Sequence, residues 1–260
     1  MRAIWTGALG FGLVNIPIRL YSATSGTGLD FDMLHKKDLS PIRYARVCRS
    51  DGHEIPYDEI VKGYEYRKGD YVVLTDEDFK KANARKTQTV DIVDFSDEDK
   101  IDSIYYEKPY YLEPDKGAER AYMLLREALK RSKKVGIAKY VLRNKEHLGV
   151  IKPMKNAIVL NQLRFKDEIR PPEGLNLPEI KEAKGKEIDM ALALIDQLTE
   201  PFDPEVYKDT YKQELTKVIE AKVKGKPVEQ KDSEPEPTEV RDLMAALKQS
   251  LEKERARARS

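Results

Sequence analysis

MRAIWTGALGFGLVNIPIRLYSAT, residues 1–24, decides the fold class of this 260-residue chain. Ile4, Trp5, Leu9, Phe11, Leu13, Val14, Ile16, Ile18, Leu20 and Tyr21 alternate partially with polar and small residues, which predicts one or two strands. Gly7, Gly10 and Gly12 are expected at bends or bulges. Pro17 argues against a central strand, because proline has no N–H for a second ladder. The chain is expected to open directly as sheet, without a signal-peptide layout of charged and apolar regions.

Outward from this start, residues 71–74, 89–93 and 101–112 read as further short strands bounded by Gly, Pro and Asp. Thr75 is placed to cap a short helix through Asp76, Glu77 and Asp78, with Phe79 and Ala82 inward. Ala118, Ala121, Tyr122, Leu125, Ala128 and Leu129 recur at helical spacing and predict a helix over 116 to about 133, with Asp115 as N-cap. Sheet returns over 135–143 and 147–165, with a turn around Pro153. After Arg170-Pro171-Pro172 the pattern becomes helical. One helix covers 186–198, with Ile188, Leu192, Ile195 and Leu198 on one face. A second begins at Pro204 after Asp203, carries Tyr207, Tyr211, Leu215, Val218, Ile219 and Lys222, and ends at Gly225.

KPVEQKDSEPEPT, residues 226–238, holds one apolar residue, Val228, and is expected to be a disordered linker. Residues 239–254 then predict an amphipathic helix with Val240, Leu243, Met244, Leu247 and Leu251 in line, Thr238 as its cap and a short basic tail to 260. The expected fold class is mixed α+β: a β-barrel core with a crossing helix over 1–225, C-terminal helices from about 186, and a detached amphipathic helix.

Net charge is only +1, so any nucleic-acid site must come from local segregation of charge. Segregation is present: residues 94–115 carry eight acids against Lys100 and Lys108, and residues 116–145 carry ten Lys/Arg against Glu119 and Glu127. Cys48 is the single cysteine, which excludes an intrachain disulfide and points to a reducing compartment. No apolar run reaches the roughly 18 residues of a membrane span. A cytoplasmic, nucleoid-associated protein is expected.

Catalytic signatures are missing. The glycines at 7, 10 and 12 do not complete a phosphate loop, and His35, His53 and His147 lack metal-ligand spacing. No metal, cofactor or catalytic residue is expected. Two basic groups stand out instead: Lys36, Lys37, Arg43 and Arg46, and then Lys130, Arg131, Lys133, Lys134, Lys139 and Arg143. Each cation alone reads as a solvated face; together they suit contact with phosphates. The tyrosine pairs, among them Tyr64 and Tyr66, read as sheet and interface packing rather than base-stacking platforms.

Several stretches carry a resemblance. The opening 24 residues, RYARVCRSDGHEIPY (43–57), IVKGYEY (60–66), GDYVVLT (69–75), KPYYLEPD (108–115) and FDPEVYKDTY (202–211) together resemble the prokaryotic Ku family over residues 1–225. Where that family often carries Cys-x-x-Cys-Gly, this chain has Cys48 but Asp51, so a thiolate zinc site is not completed and a tight turn at Asp51-Gly52 is expected. The resemblance implies a homodimeric ring around DNA ends and recruitment of the multifunctional ATP-dependent ligase of bacterial end joining, with no defining catalytic centre. The two basic groups become the expected DNA-binding residues, and the 239–254 helix the ligase-docking element. A rival reading is an enzyme at DNA breaks, in which Lys36 or Lys133 attacks an abasic aldehyde as a Schiff base. A basic adaptor that binds only protein is a third.

Overall fold

The computed structural model describes residues 1–26, 28–82, 88–178, 185–227, 248–250 and 252. They fall into two compact units, Met1–Pro172 and Glu173–Ser260, with the boundary at the proline pair where the sequence pattern turns helical.

The first unit is built on a closed seven-stranded barrel, in agreement with the expected class. Strands β1 (Trp5–Phe11) and β2 (Val14–Ser22) form a hairpin, and after an excursion β5 (Thr89–Asp97) returns to the barrel. Strands β6 (Tyr106–Pro114), β7 (Lys134–Leu142), β8 (Lys145–Met154) and β9 (Ala157–Leu163) complete it in the order β1-β2-β6-β9-β8-β7-β5. Every neighbouring pair is antiparallel except β1 and β5, which close the barrel in parallel from Ala8↔Thr89 to Phe11↔Ile92.

The opening hairpin turns at Gly12-Leu13, where Gly12 has φ +59 and Leu13 is fully exposed. Gly7 and Gly10 lie inside β1, which corrects their reading as bends. Gly7 is a close-approach position, because a Cβ there would collide with the Gln88 carbonyl and the Trp5 ring. Pro17 likewise stands within β2, between two strands. It faces Ala8, whose N–H donates to Gln88, and on its other side the β6 ladder begins only at Ile18↔Pro114. Its missing N–H therefore costs no ladder bond.

Period-two alternation explains the core. Ile16, Ile18 and Leu20 of β2 are buried while Asn15, Pro17 and Arg19 are exposed, and they join Leu9, Val90, Leu112, Tyr140, Ile151, Ile158 and Leu160 in one cluster. The predicted crossing helix is α2, Glu119–Ser132, whose Tyr122, Leu125 and Leu129 enter that cluster. Burying each of those side chains is worth roughly 1.5–3 kcal/mol. The helix begins later than expected. Asp115 is not its cap but receives the Arg19 Nε at 2.7 Å, and Ala118 occupies the N-cap.

The other face of β7, β8 and β9 holds a second cluster, Val135, Val150 and Leu163, covered by Ile101, Tyr105 and Tyr106. That cover is largely irregular: two 3-10 turns form at Glu98–Lys100 and Ser103–Tyr105, so the strand expected over 101–112 begins only at Tyr106. The β8–β9 turn falls at Lys155-Asn156 rather than Pro153, which pairs with Ile158 inside the sheet.

Between β2 and β5 the chain leaves the barrel. It forms a separate hairpin of β3 (Lys62–Arg67) and β4 (Asp70–Leu74), followed by α1, Asp76–Ala82. The Thr75 cap is as predicted and reciprocal: the Asp78 N–H donates to Thr75 Oγ1 at 3.3 Å, and the Thr75 N–H donates to Asp78 at 2.9 Å.

The second unit contains α3, Lys186–Leu198, as expected, and α4, Thr210–Val223. Helix α4 starts at Asp209, whose carboxylate accepts the Lys212 N–H at 2.8 Å, and not at Pro204. Asp203 instead closes a local turn onto the Glu205 N–H, and Phe202 stacks on Tyr207 at 5.7 Å. Most of the expected 239–254 helix, with Val240, Leu243, Met244, Leu247 and Leu251, lies outside the described residues, as does nearly all of the 226–238 linker; 248–250 and 252 are described and helical. Among the described residues no helix is long and apolar enough to cross a membrane.

Candidate nucleic-acid interface

The first basic group lies on the excursion. Leu34 and Pro41 bridge across a turn closed by the His35 N–H to Ser40 carbonyl bond at 2.8 Å, and Lys36 and Lys37 stand exposed at its tip. Asp38 fixes the turn by accepting from the Ser40 hydroxyl at 2.7 Å and its N–H at 3.1 Å. These bonds hold its carboxyl below the usual carboxylate range. Arg43 is exposed but paired with Glu54 at 3.1 Å, and the Arg46 guanidinium lies over the Tyr57 ring at 5.0 Å.

The expected turn follows directly. Gly52, with φ +77, donates to the Cys48 carbonyl at 3.0 Å, and the Cys48 N–H donates to the His53 carbonyl at 2.9 Å. Cys48 is half-buried, and a hydrogen bond with Ser50, with Sγ and Oγ at 3.0 Å, pushes its thiol below the ordinary value. Among the described residues no three His, Cys, Asp or Glu side chains converge as a metal site.

The second basic group is divided by the length of β7. Lys130, Arg131, Lys133 and Lys134 gather where α2 ends and β7 begins, with Lys133 in the left-handed conformation that terminates the helix. Arg143 sits in the β7–β8 turn at the strand's other end, about 30 Å away at the usual rise per residue, and Lys139 lies between them on the outer face. Two members are locally neutralised: Arg131 by Glu127 and Lys134 by Asp97, at 2.7 and 2.6 Å. Among the described residues Lys36, Lys37, Lys130, Lys133, Lys139 and Arg143 have no carboxylate partner within 4.0 Å, which leaves them the stronger candidates for phosphate. Lys36 and Lys133, the amines of the Schiff-base reading, are both exposed and not enclosed.

One exposed apolar surface escaped residue-by-residue reading. The excursion exposes Phe31, Tyr44, Tyr57, Val61, Tyr64, Tyr66, Tyr71 and Val73, all more than half accessible. No residue of β3 is buried. A lone two-stranded hairpin is marginal in water, and exposed apolar surface gathered in one place is a general feature of interaction sites. The sequence signalled the strand at 71–74, which is β4, but neither its partner β3 nor the exposure of both faces. The tyrosines of β6 behave differently, since Tyr110 is core and Tyr106 packs in the outer cluster.

Comparison with known proteins extends these observations. Residues 10–190 match the family described as the Ku70/Ku80 beta-barrel domain. A protein of Opitutus terrae named non-homologous end joining protein Ku is 46% identical, with 96% of this chain and 91% of that protein covered. Proteins of the same name from Archaeoglobus fulgidus and Bacillus subtilis are 42% and 41% identical, covering 97% and 98% of this chain and 99% and 83% of theirs.

Proposed function

This chain belongs to the Ku family, and from that premise we propose that it binds double-stranded DNA ends, without sequence preference, as a homodimeric ring. In double-strand break repair by non-homologous end joining it recruits or stimulates the end-joining ligase. The observation that carries the reading is the apolar excursion of residues 28–82. It leaves a closed barrel, has no second layer in its own unit among the described residues, and carries exposed Lys36 and Lys37 at one of its turns.

A second copy supplies the missing layer, and two-fold symmetry turns two such arms into an enclosure. Enclosure suits end recognition, since a ring enters a duplex at a terminus and holds it through phosphates rather than base edges. Dispersed, exposed cations serve that purpose and need no groove-reading helix. The protein acts by holding and protecting ends and by presenting them to the ligase, with no catalytic residue of its own. The 239–254 segment is the ligase-docking element, an apolar stripe that becomes a stable helix in a partner's groove.

Gel-shift titration of linear duplex against covalently closed minicircles of the same length tests the reading. Tight binding to the linear form alone is expected, with affinity falling at a slope of about −0.9 per phosphate contact in a log–log salt plot. Equal affinity for both topologies overturns threading.

A further inference from the structure

We infer that the barrel mouth beside the β7–β8 turn binds a sugar phosphate monoester. A cleft of about 360 Å³ opens there, at the low end of the range for small-molecule sites. Its floor is a buried polar chain. The Tyr110 and Tyr140 hydroxyls both donate to Gln162 Oε1 at 3.3 Å, and Gln162 Nε2 donates to Glu107 at 2.8 Å. Tyr110, Tyr140 and Gln162 are 4%, 2% and 8% exposed. Burial pushes both phenols above their ordinary value, so they stay protonated donors.

Such a chain is costly in a barrel interior that is otherwise apolar, and its outer end faces the cleft. The rim supplies the opposite polarity. Lys108 reaches over the Tyr110 ring, its Nζ 5.6 Å from the centroid, and Arg143 projects from the tight turn. Neither has a carboxylate partner among the described residues, whereas neighbouring Lys145 is held by Glu168 at 2.7 Å.

The combination selects a ligand class. Two free cations attract a phosphate dianion. Glu107 repels a bare anion but accepts hydrogen bonds from hydroxyls, as does the remaining lone pair of Tyr110, the tyrosine of the chain that lines the cleft. A molecule carrying phosphate at one end and sugar hydroxyl at the other satisfies both. It is either a free nucleoside monophosphate or the 5′-phosphorylated terminal nucleotide of a DNA strand. The second source rests on the DNA-end reading above.

Calorimetry on the full-length protein with deoxyadenosine 5′-monophosphate and with inorganic phosphate tests the site. A parallel gel shift uses duplexes whose open end carries 5′-phosphate or 5′-hydroxyl. For a free nucleotide, saturable binding is expected, with inorganic phosphate at least about tenfold weaker. Lys108→Gln and Arg143→Gln should each weaken it about tenfold or more, and Lys155→Gln, at the opposite barrel end, should leave it unchanged. For a DNA terminus, 5′-phosphate ends should bind more tightly than 5′-hydroxyl ends, and Arg143→Gln should erase the difference. The inference is overturned by three results: no nucleotide binding together with equal affinity for the two ends, inorganic phosphate binding as tightly as the nucleotide, or binding that survives Lys108→Gln with Arg143→Gln. The DNA-end reading is judged separately, by 5′-hydroxyl linear duplex against minicircles.

Discussion

The Tyr122 hydroxyl accepts the Ile158 amide hydrogen at 2.6 Å, and it donates its own hydrogen to the Leu112 carbonyl at 2.7 Å. Leu112 and Ile158 are cross-strand partners at the end of the β6–β9 ladder, so a single side chain of α2 satisfies both strands and fixes the helix to the barrel. Tyr122→Phe would keep the ring and leave two buried backbone groups unpaired. A loss of about 2–4 kcal/mol is expected, read as a lower urea midpoint at unchanged slope.

The exposed hairpin makes a claim about assembly. With Tyr64→Lys and Tyr66→Lys together, light scattering should report a monomer while near-ultraviolet circular dichroism of the barrel persists. A dimer of unchanged stability would move the interface elsewhere.

Charge reversal separates phosphate contacts from solvated cations. Lys133→Glu with Lys134→Glu is expected to weaken end binding and to lower the salt slope by up to about two. Since Lys134 is already paired with Asp97, Lys133→Glu alone should produce most of the effect. An unchanged slope would make this cluster only a helix end.

Glu168 provides a pH signature. Hydrogen bonds from Lys145 and from the Phe165 N–H at 2.9 Å hold its carboxyl below the usual range. Its contribution is therefore complete above the unfolded value and lost as pH falls through the depressed one. Relative to Glu168→Gln, the natural protein should lose stability as pH drops below about 4.3, with a constant difference at higher pH. Denaturation across a pH series measures it, and the exposure of the pair keeps the effect small.

Ligase engagement should depend on the far C-terminus. Leu243→Glu with Leu247→Glu is expected to abolish calorimetric binding to the ligase and stimulation of ligation, with DNA binding intact. Retention of both would assign docking to another segment.

Much of this architecture is legible in sequence because one-sided burial leaves a periodic trace, of two in a strand and about 3.6 in a helix. Ile16, Ile18 and Leu20 announce β2, and Tyr122, Leu125 and Leu129 announce α2. Failures occur where a tertiary partner captures a local signal. Asp115 looks like a cap and is taken by Arg19; Pro17 looks disqualifying and sits past a ladder's end; Pro204 looks like a helix start and is overruled by Asp209. The basic residues were readable as types, but their separation along β7 was not, because a run contiguous in sequence spans the length of a strand. The polar floor at Gln162 joins residues from β6, β7 and β9 and leaves no linear motif.

The parallel seam between β1 and β5 also governs how the barrel is made. Ala8 must wait for Thr89, and Phe11 for Ile92, with the whole excursion synthesised in between. Closing so long a loop carries an entropic penalty before any contact repays it, and folding slows as contacting residues lie farther apart in the chain. The first hairpin thus emerges from the ribosome with both edges unpaired, since β2 must likewise wait for β6, and with its apolar arm following behind. During that interval the unpaired strand edges and exposed apolar side chains of the nascent chain are open to aggregation.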